Sequence, residues 1–159
     1  MTAELVLYTD AYRVAGQVDP GGRRLSDWLN ERQADQVVLR DGAYQLLSEE
    51  RDPVPFGLMG VPKIGVDLVV PLDPPNLGAQ VATERVALTL AYSLYTISGM
   101  LHRRSSDPRN LASLLAGFSR RFVPISVAEV RCLVNPHFDA DVSVVLANIE
   151  RLKFWCVSS

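Results

Sequence analysis

Apolar and polar residues alternate along the opening stretch from Glu4 to Val18, with Leu5, Leu7, Tyr12, Val14 and Val18 on the apolar positions. A period of two is the mark of a half-buried strand, and the polar dip at Thr9-Asp10-Ala11 predicts a hairpin turn or a sharply bent strand there. After the loop Asp19-Pro20-Gly21-Gly22 the period changes. Leu25, Trp28 and Leu29 fall at i, i+3 and i+4, one face of a short helix from Arg24 to Asn30. Ser26 and Asp27 are expected to satisfy N–H groups of its first turn, and Asn30 to cap its C-terminus. Alternation resumes from Gln36 to Leu39 and from Ala43 to Leu47. Asp41-Gly42 between these apolar runs predicts a hairpin. Two more short strands, Phe56 to Met59 and Ile64 to Val70, flank Pro62-Lys63.

The same pattern then occurs a second time. At an offset of 83 residues, Tyr12 to Tyr95, the residues Leu5, Leu7, Tyr12 and Gly16 meet Leu88, Leu90, Tyr95 and Gly99. After an insertion of three residues the offset becomes 86, Leu25 to Leu111, and Arg23, Leu29, Val37 and Leu47 meet Arg109, Leu115, Val123 and Leu133. Asn110 to Phe118 repeats the helical spacing behind a start signal at Asp107-Pro108. Phe122 to Ile125 with Glu129 to Val134 repeats the expected hairpin, and Val142 to Leu146 with Leu152 to Val157 repeats the closing strands around Asn148-Ile149-Glu150. Self-similarity at a fixed period is the signature of a duplicated unit. Gly16 and Gly99, each inside a strand pattern, point to a bulge or a close backbone approach. The expected fold is therefore mainly β: two tandem small β-barrel repeats, each with one short helix, related by a pseudo-twofold axis and packed through an apolar interface. The first repeat is expected over 1–70, a linker rich in proline over 71–85, and the second repeat over 86–159.

The stretch RLSDWLN, with the preceding Tyr12 and Gly16 and the apolar runs after it, resembles an uncharacterised bacterial domain family that carries an RLSDxLN motif. The resemblance covers Leu5 to about Leu47. The second copy keeps the leucines but not the Ser, Asp and Asn. The strand order and the closing VVLANIERLKF are also similar to Sm-like and SH3-like small barrels, an analogy of fold that implies no activity.

Composition narrows the function classes. With 159 residues, 48% of them hydrophobic, the chain has enough apolar surface for a core without metal or disulfide. Cys132 and Cys156 are expected as buried reduced thiols. The net charge of −2 argues against a general polyanion binder, and no apolar run reaches the length of a membrane span. Without a basic and apolar leader at Met1 to Glu4, a cytoplasmic protein is the expectation.

Charge is divided between the copies. Residues 1–80 hold 7 basic and 12 acidic side chains, net −5; residues 81–159 hold 9 and 6, net +3. Asp35 aligns with Arg121, and Asp67 with Lys153. Arg103, Arg104, Arg109, Arg120 and Arg121 form the candidate site for an anion or a partner. His102 and His137 have no nucleophile at a recognisable spacing and are expected as solvated loop residues. His137, Asp139 and Asp141 fall short of a converging ligand set, so no metal and no cofactor are expected. These readings lead to a non-catalytic binding or assembly module that meets a protein partner or itself. The alternative is a nucleic-acid-binding protein using the five arginines, and a third, weaker reading is a hydrolytic enzyme.

Overall fold

The computed structural model describes residues 2–73, 83–104, 107, 110–116 and 121–157. They form strands β1 (Ala3–Tyr8), β2 (Tyr12–Val18), β3 (Gln36–Leu46), β4 (Val54–Pro62) and β5 (Leu68–Pro71), with helix α1 (Leu25–Leu29) between β2 and β3. The second half supplies β6 (Thr83–Ala91), β7 (Tyr95–Arg104), β8 (Phe122–Cys132), β9 (Ala140–Asn148) and β10 (Phe154–Cys156), with α2 (Leu111–Ala116) between β7 and β8. The alternating leucines and valines thus form strands as the pattern requires. The first turn closes where the polar dip lies, the Thr9 N–H donating to Tyr12 O at 2.9 Å. Its counterpart repeats the bond, Tyr92 N–H to Tyr95 O at 2.9 Å. Of the expected linker, residues 74–82 lie outside the described residues, and β6 begins at Thr83.

All ten strands join one antiparallel sheet in the order β10-β6-β7-β8-β9-β5-β1-β2-β3-β4. Each half contributes its strands in the same order, β5-β1-β2-β3-β4 and β10-β6-β7-β8-β9. The halves meet where β5 pairs with β9, Leu68 opposite Ala147 and Val69 opposite Leu146. This corrects the pseudo-twofold expectation. A twofold axis would bring like strands together, whereas β5 here meets the counterpart of β4. The halves are joined head to tail, and the sheet is left open at β4 and β10.

The expected hairpin at Asp41-Gly42 is also corrected. β3 runs unbroken through it, and β8 runs unbroken through the matching position. Asp41 has φ 50° and Val127 has φ 48°, and the ladders to β2 and β7 slip by a residue beside them. Both are β-bulges that bend a long strand. Gly99 lies against the second bulge, where an added Cβ would meet Ile125 Cγ2 at 2.6 Å and Ser126 O at 2.8 Å. Only glycine fits that approach, and Gly16 holds the same place in the first half.

Two apolar cores result, and both cross the join. Leu5 and Leu7 of β1 point into one, with Val14, Leu25, Leu29, Leu39 and Val69, and that core also takes Phe122 and Leu146 from the second half. Val6 and Tyr8, the alternate residues of β1, point into the other with Tyr92, Tyr95, Val145 and Ala147. β1 and β5 are therefore buried on both faces, so neither half completes its core alone. Cys132 is buried as expected, but Cys156, on the outermost strand β10, is exposed. Among the described residues no helix is long and apolar enough to cross a membrane.

Candidate functional site

Three of the four buried polar side chains among the described residues, Lys63, Asp67 and Asn148, lie at the β5–β9 join. Asp67, just before β5, accepts from the Tyr95 hydroxyl at 2.5 Å and from Arg151 Nε at 2.9 Å, both of the second half. Asn148, ending β9, donates its amide to Val66 O at 2.8 Å, and its backbone N–H donates to Asp67 O at 2.9 Å. Asn30 caps α1 through Ser26 O at 2.8 Å as expected. It also binds across the join, accepting from Phe122 N–H at 2.8 Å and donating to Phe122 O at 3.0 Å. At the N-terminus of α1 the cap residue is Arg24, whose side chain makes no capping bond, and Asp27 places an acidic group in the first turn. Burial raises the pKa of both Tyr92 and Tyr95 well above 10, and the Asp67 charge adds to each.

Beside this clamp lies a cavity of about 330 Å³ lined by Asn30, Glu31, Asp35, Lys63, Arg121 and Glu150 among others. Lys63 donates from Nζ to Glu31 O at 3.0 Å, and burial, with Arg121 close by, holds its ammonium below the ordinary value. Asp35 and Arg121, aligned positions of the two copies, face the same cavity.

Arg121 pairs with Glu150 at 3.0 Å. Arg103, on β7, pairs with Glu84 of β6 at 3.1 Å. Arg104 ends β7, its backbone N–H donating to Asp107 at 2.6 Å. The β7–β8 register sets Leu101 opposite Ile125, so the ends carrying Arg104 and Arg121 share one side of the sheet. Arg109 and Arg120 lie outside the described residues. Acidic partners on Arg103 and Arg121 reduce the charge those two would offer a phosphate.

His102 departs from its expected loop position. It stands in β7, half-buried, with Nε2 2.6 Å from Ser126 Oγ. That serine was not visible from spacing because it is reached only through the β7–β8 ladder. His137 is exposed in a single helical turn; Asp139 accepts from Cys132 N–H, and Asp141 pairs with Arg131 at 3.0 Å. Among the described residues no three His, Cys, Asp or Glu side chains converge on a metal position.

Among the described residues β4 and β10 end the sheet, each paired with another strand on one side only. β4 and the turn after it expose Leu58 (66%) and Ile64 (69%), and β10 exposes Phe154 (59%). Unpaired strand edges offer N–H and C=O groups to another strand, and apolar side chains beside them add area to bury. Pro55 and Pro62 limit what β4 can donate. Compared with family models, curated proteins and solved structures, the chain matches none.

Proposed function

We propose that this chain is a non-catalytic binding and assembly module of the bacterial cytoplasm, built from a duplicated small β-barrel unit whose two copies share one sheet. The identical strand order of the halves supports the duplication. The observation that carries the binding reading is the sheet's two open ends, both apolar and both exposed, while the join between the halves is sealed by ladder bonds and a polar clamp. Apart from Arg23 and Arg109, the residues matched between the copies are apolar or turn-forming, so what the surface recognises lies mainly where the copies differ.

Light scattering at low and at high salt tests the reading. A mass that rises above 17.5 kDa with concentration is the expected result. A strict monomer at both salt strengths, up to the highest concentration reached, contradicts an assembly role.

A further inference from the structure

We propose that the partner of the open ends is a second copy of this chain, the β10 edge of one copy pairing with the β4 edge of the next in the register of the β5–β9 join. This inference rests on the assembly reading and names its partner. The chain already shows how two halves meet: the β5 edge of one accepts the fourth strand of the other, β9. By the repeat, β10 is the counterpart of β5 and β4 the counterpart of β9, and these are the two strands left at the ends. The offset of 86 residues carries Leu68 to Phe154, Val69 to Trp155, Ala147 to Val61 and Leu146 to Gly60. An outer join in the same register sets Phe154 opposite Val61 and Trp155 opposite Gly60.

The chemistry of the edges fits a reversible contact. Asn148 N–H reaches across the inner join to Asp67 O, so antiparallel alternation turns the Leu146 amide the same way. The counterpart of Leu146, Gly60, keeps that donor; the counterpart of Asn148, Pro62, lacks it. The outer join therefore has one ladder bond fewer and is the weaker of the two. Phe154 is larger than the leucine it replaces and lands near Tyr12, which is 41% exposed where its counterpart Tyr95 is buried. Lys153 stands where Asp67 stands, so the hydroxyl of Tyr12 accepts from an ammonium where that of Tyr95 donates to a carboxylate. Head-to-tail contact also sets the +3 half of one copy beside the −5 half of the next. Because unlike edges meet, the product is a ring or a filament rather than a twofold dimer.

Cross-linking in the full chain tests the register. Continuing the inner pairing by one residue places Met59 opposite the exposed native Cys156, in the closely spaced non-hydrogen-bonded type of pair that suits a disulfide. Under mild oxidation Met59→Cys is expected to give a ladder of dimers, trimers and longer chains on a non-reducing gel. Leu58→Cys, whose side chain points to the other face, and Met59→Cys combined with Cys156→Ser should not. Wild-type sedimentation velocity gives a readout free of any folding defect, and the surface change Phe154→Glu should raise the concentration needed for association at least tenfold. A mass that rises with no ladder from Met59→Cys, or a wild-type product limited to Cys156-linked dimers, overturns the inference and leaves an assembly module using another surface or partner. A strict monomer by sedimentation overturns both readings.

Discussion

At the β5–β9 join, Asp67 receives a tyrosine and an arginine, Asn148 ties two backbone segments, and Asn30 grips both polar groups of Phe122. At the outer ends the same alignment positions hold Lys153, Gly65, Pro62 and Ala116. The strands correspond one for one, yet the polar clamp exists only inside. A duplicated unit that must hold its copy permanently keeps buried, fully partnered polar groups, which fix register because a wrong pairing would strand them. The ends dispense with those groups, and a charge or a proline there costs nothing in the isolated chain. Apolar side chains exposed beside the open ladders suit contacts that form and part.

The comparison is broken most strongly at Asp67. Asp67→Ala removes the buried acceptor of Arg151 Nε and one of the two acceptors of the Tyr95 hydroxyl, the other being Thr9 O at 2.8 Å, and should lower stability by about 3 kcal/mol. Lys153→Ala, at the matched outer position, should change it by less than about 0.5 kcal/mol. Urea melts of both variants decide this.

High pH acts on the inner join through Tyr92 and Tyr95. Both are held protonated above their ordinary value of 10.0, first by burial and then by Asp67. The stability they allow is complete below pH 10. Above it the unfolded chain ionises while the native one does not, and stability falls by about 1.4 kcal/mol per pH unit for each phenol. Lys63, held below its ordinary 10.5, contributes an opposing rise that ends at 10.5. Denaturant melts between pH 9 and 11.5 should show the fall, and Tyr92→Phe should remove the Tyr92 share of it.

A smaller contrast comes from Asn148→Ala, which deletes the bond to Val66 O and should cost about 2 kcal/mol, while Pro62→Ala at the matched edge position should leave thermal stability nearly unchanged. The same Pro62→Ala restores a backbone donor to β4 and should strengthen association. The smallest effect concerns the bulges. Asp41 tolerates its left-handed backbone, whereas Val127 is β-branched at φ 48° and 71% exposed. Val127→Asp should therefore stabilise by about 1 kcal/mol, read as a higher melting temperature.

What could be read from the sequence was local or periodic. Alternation around Leu5 and Leu88, the turn at Thr9-Asp10-Ala11 and the helical faces of Leu25 and Leu111 all depend on neighbours a few residues away, and all are present. Asp41-Gly42 misled because a bulge and a tight turn call for the same left-handed chemistry, and only the strand across the ladder tells them apart. The clamp was hidden for a different reason. Asn30 reads as an ordinary helix cap, and its partner Phe122 is 92 residues away. Asp67 was visible only as a sign difference from Lys153, and its partner Arg151 is 84 residues distant. The signal was there in the comparison of copies. Where a repeat keeps its apolar positions and changes a polar one, as at Asn30 and Ala116, the change marks a place where the copies have different neighbours.

Amide hydrogen exchange at several protein concentrations tests most directly whether the sheet has one closed join and two ends that close on another copy. The amides of Leu146 and Asn148 should be protected at every concentration. Those of Gly60 and Trp155 should exchange quickly in dilute solution and slow at least tenfold as the mass rises. Rates at Gly60 and Trp155 that ignore concentration, or inner-join amides that exchange as fast as the edges, would contradict it.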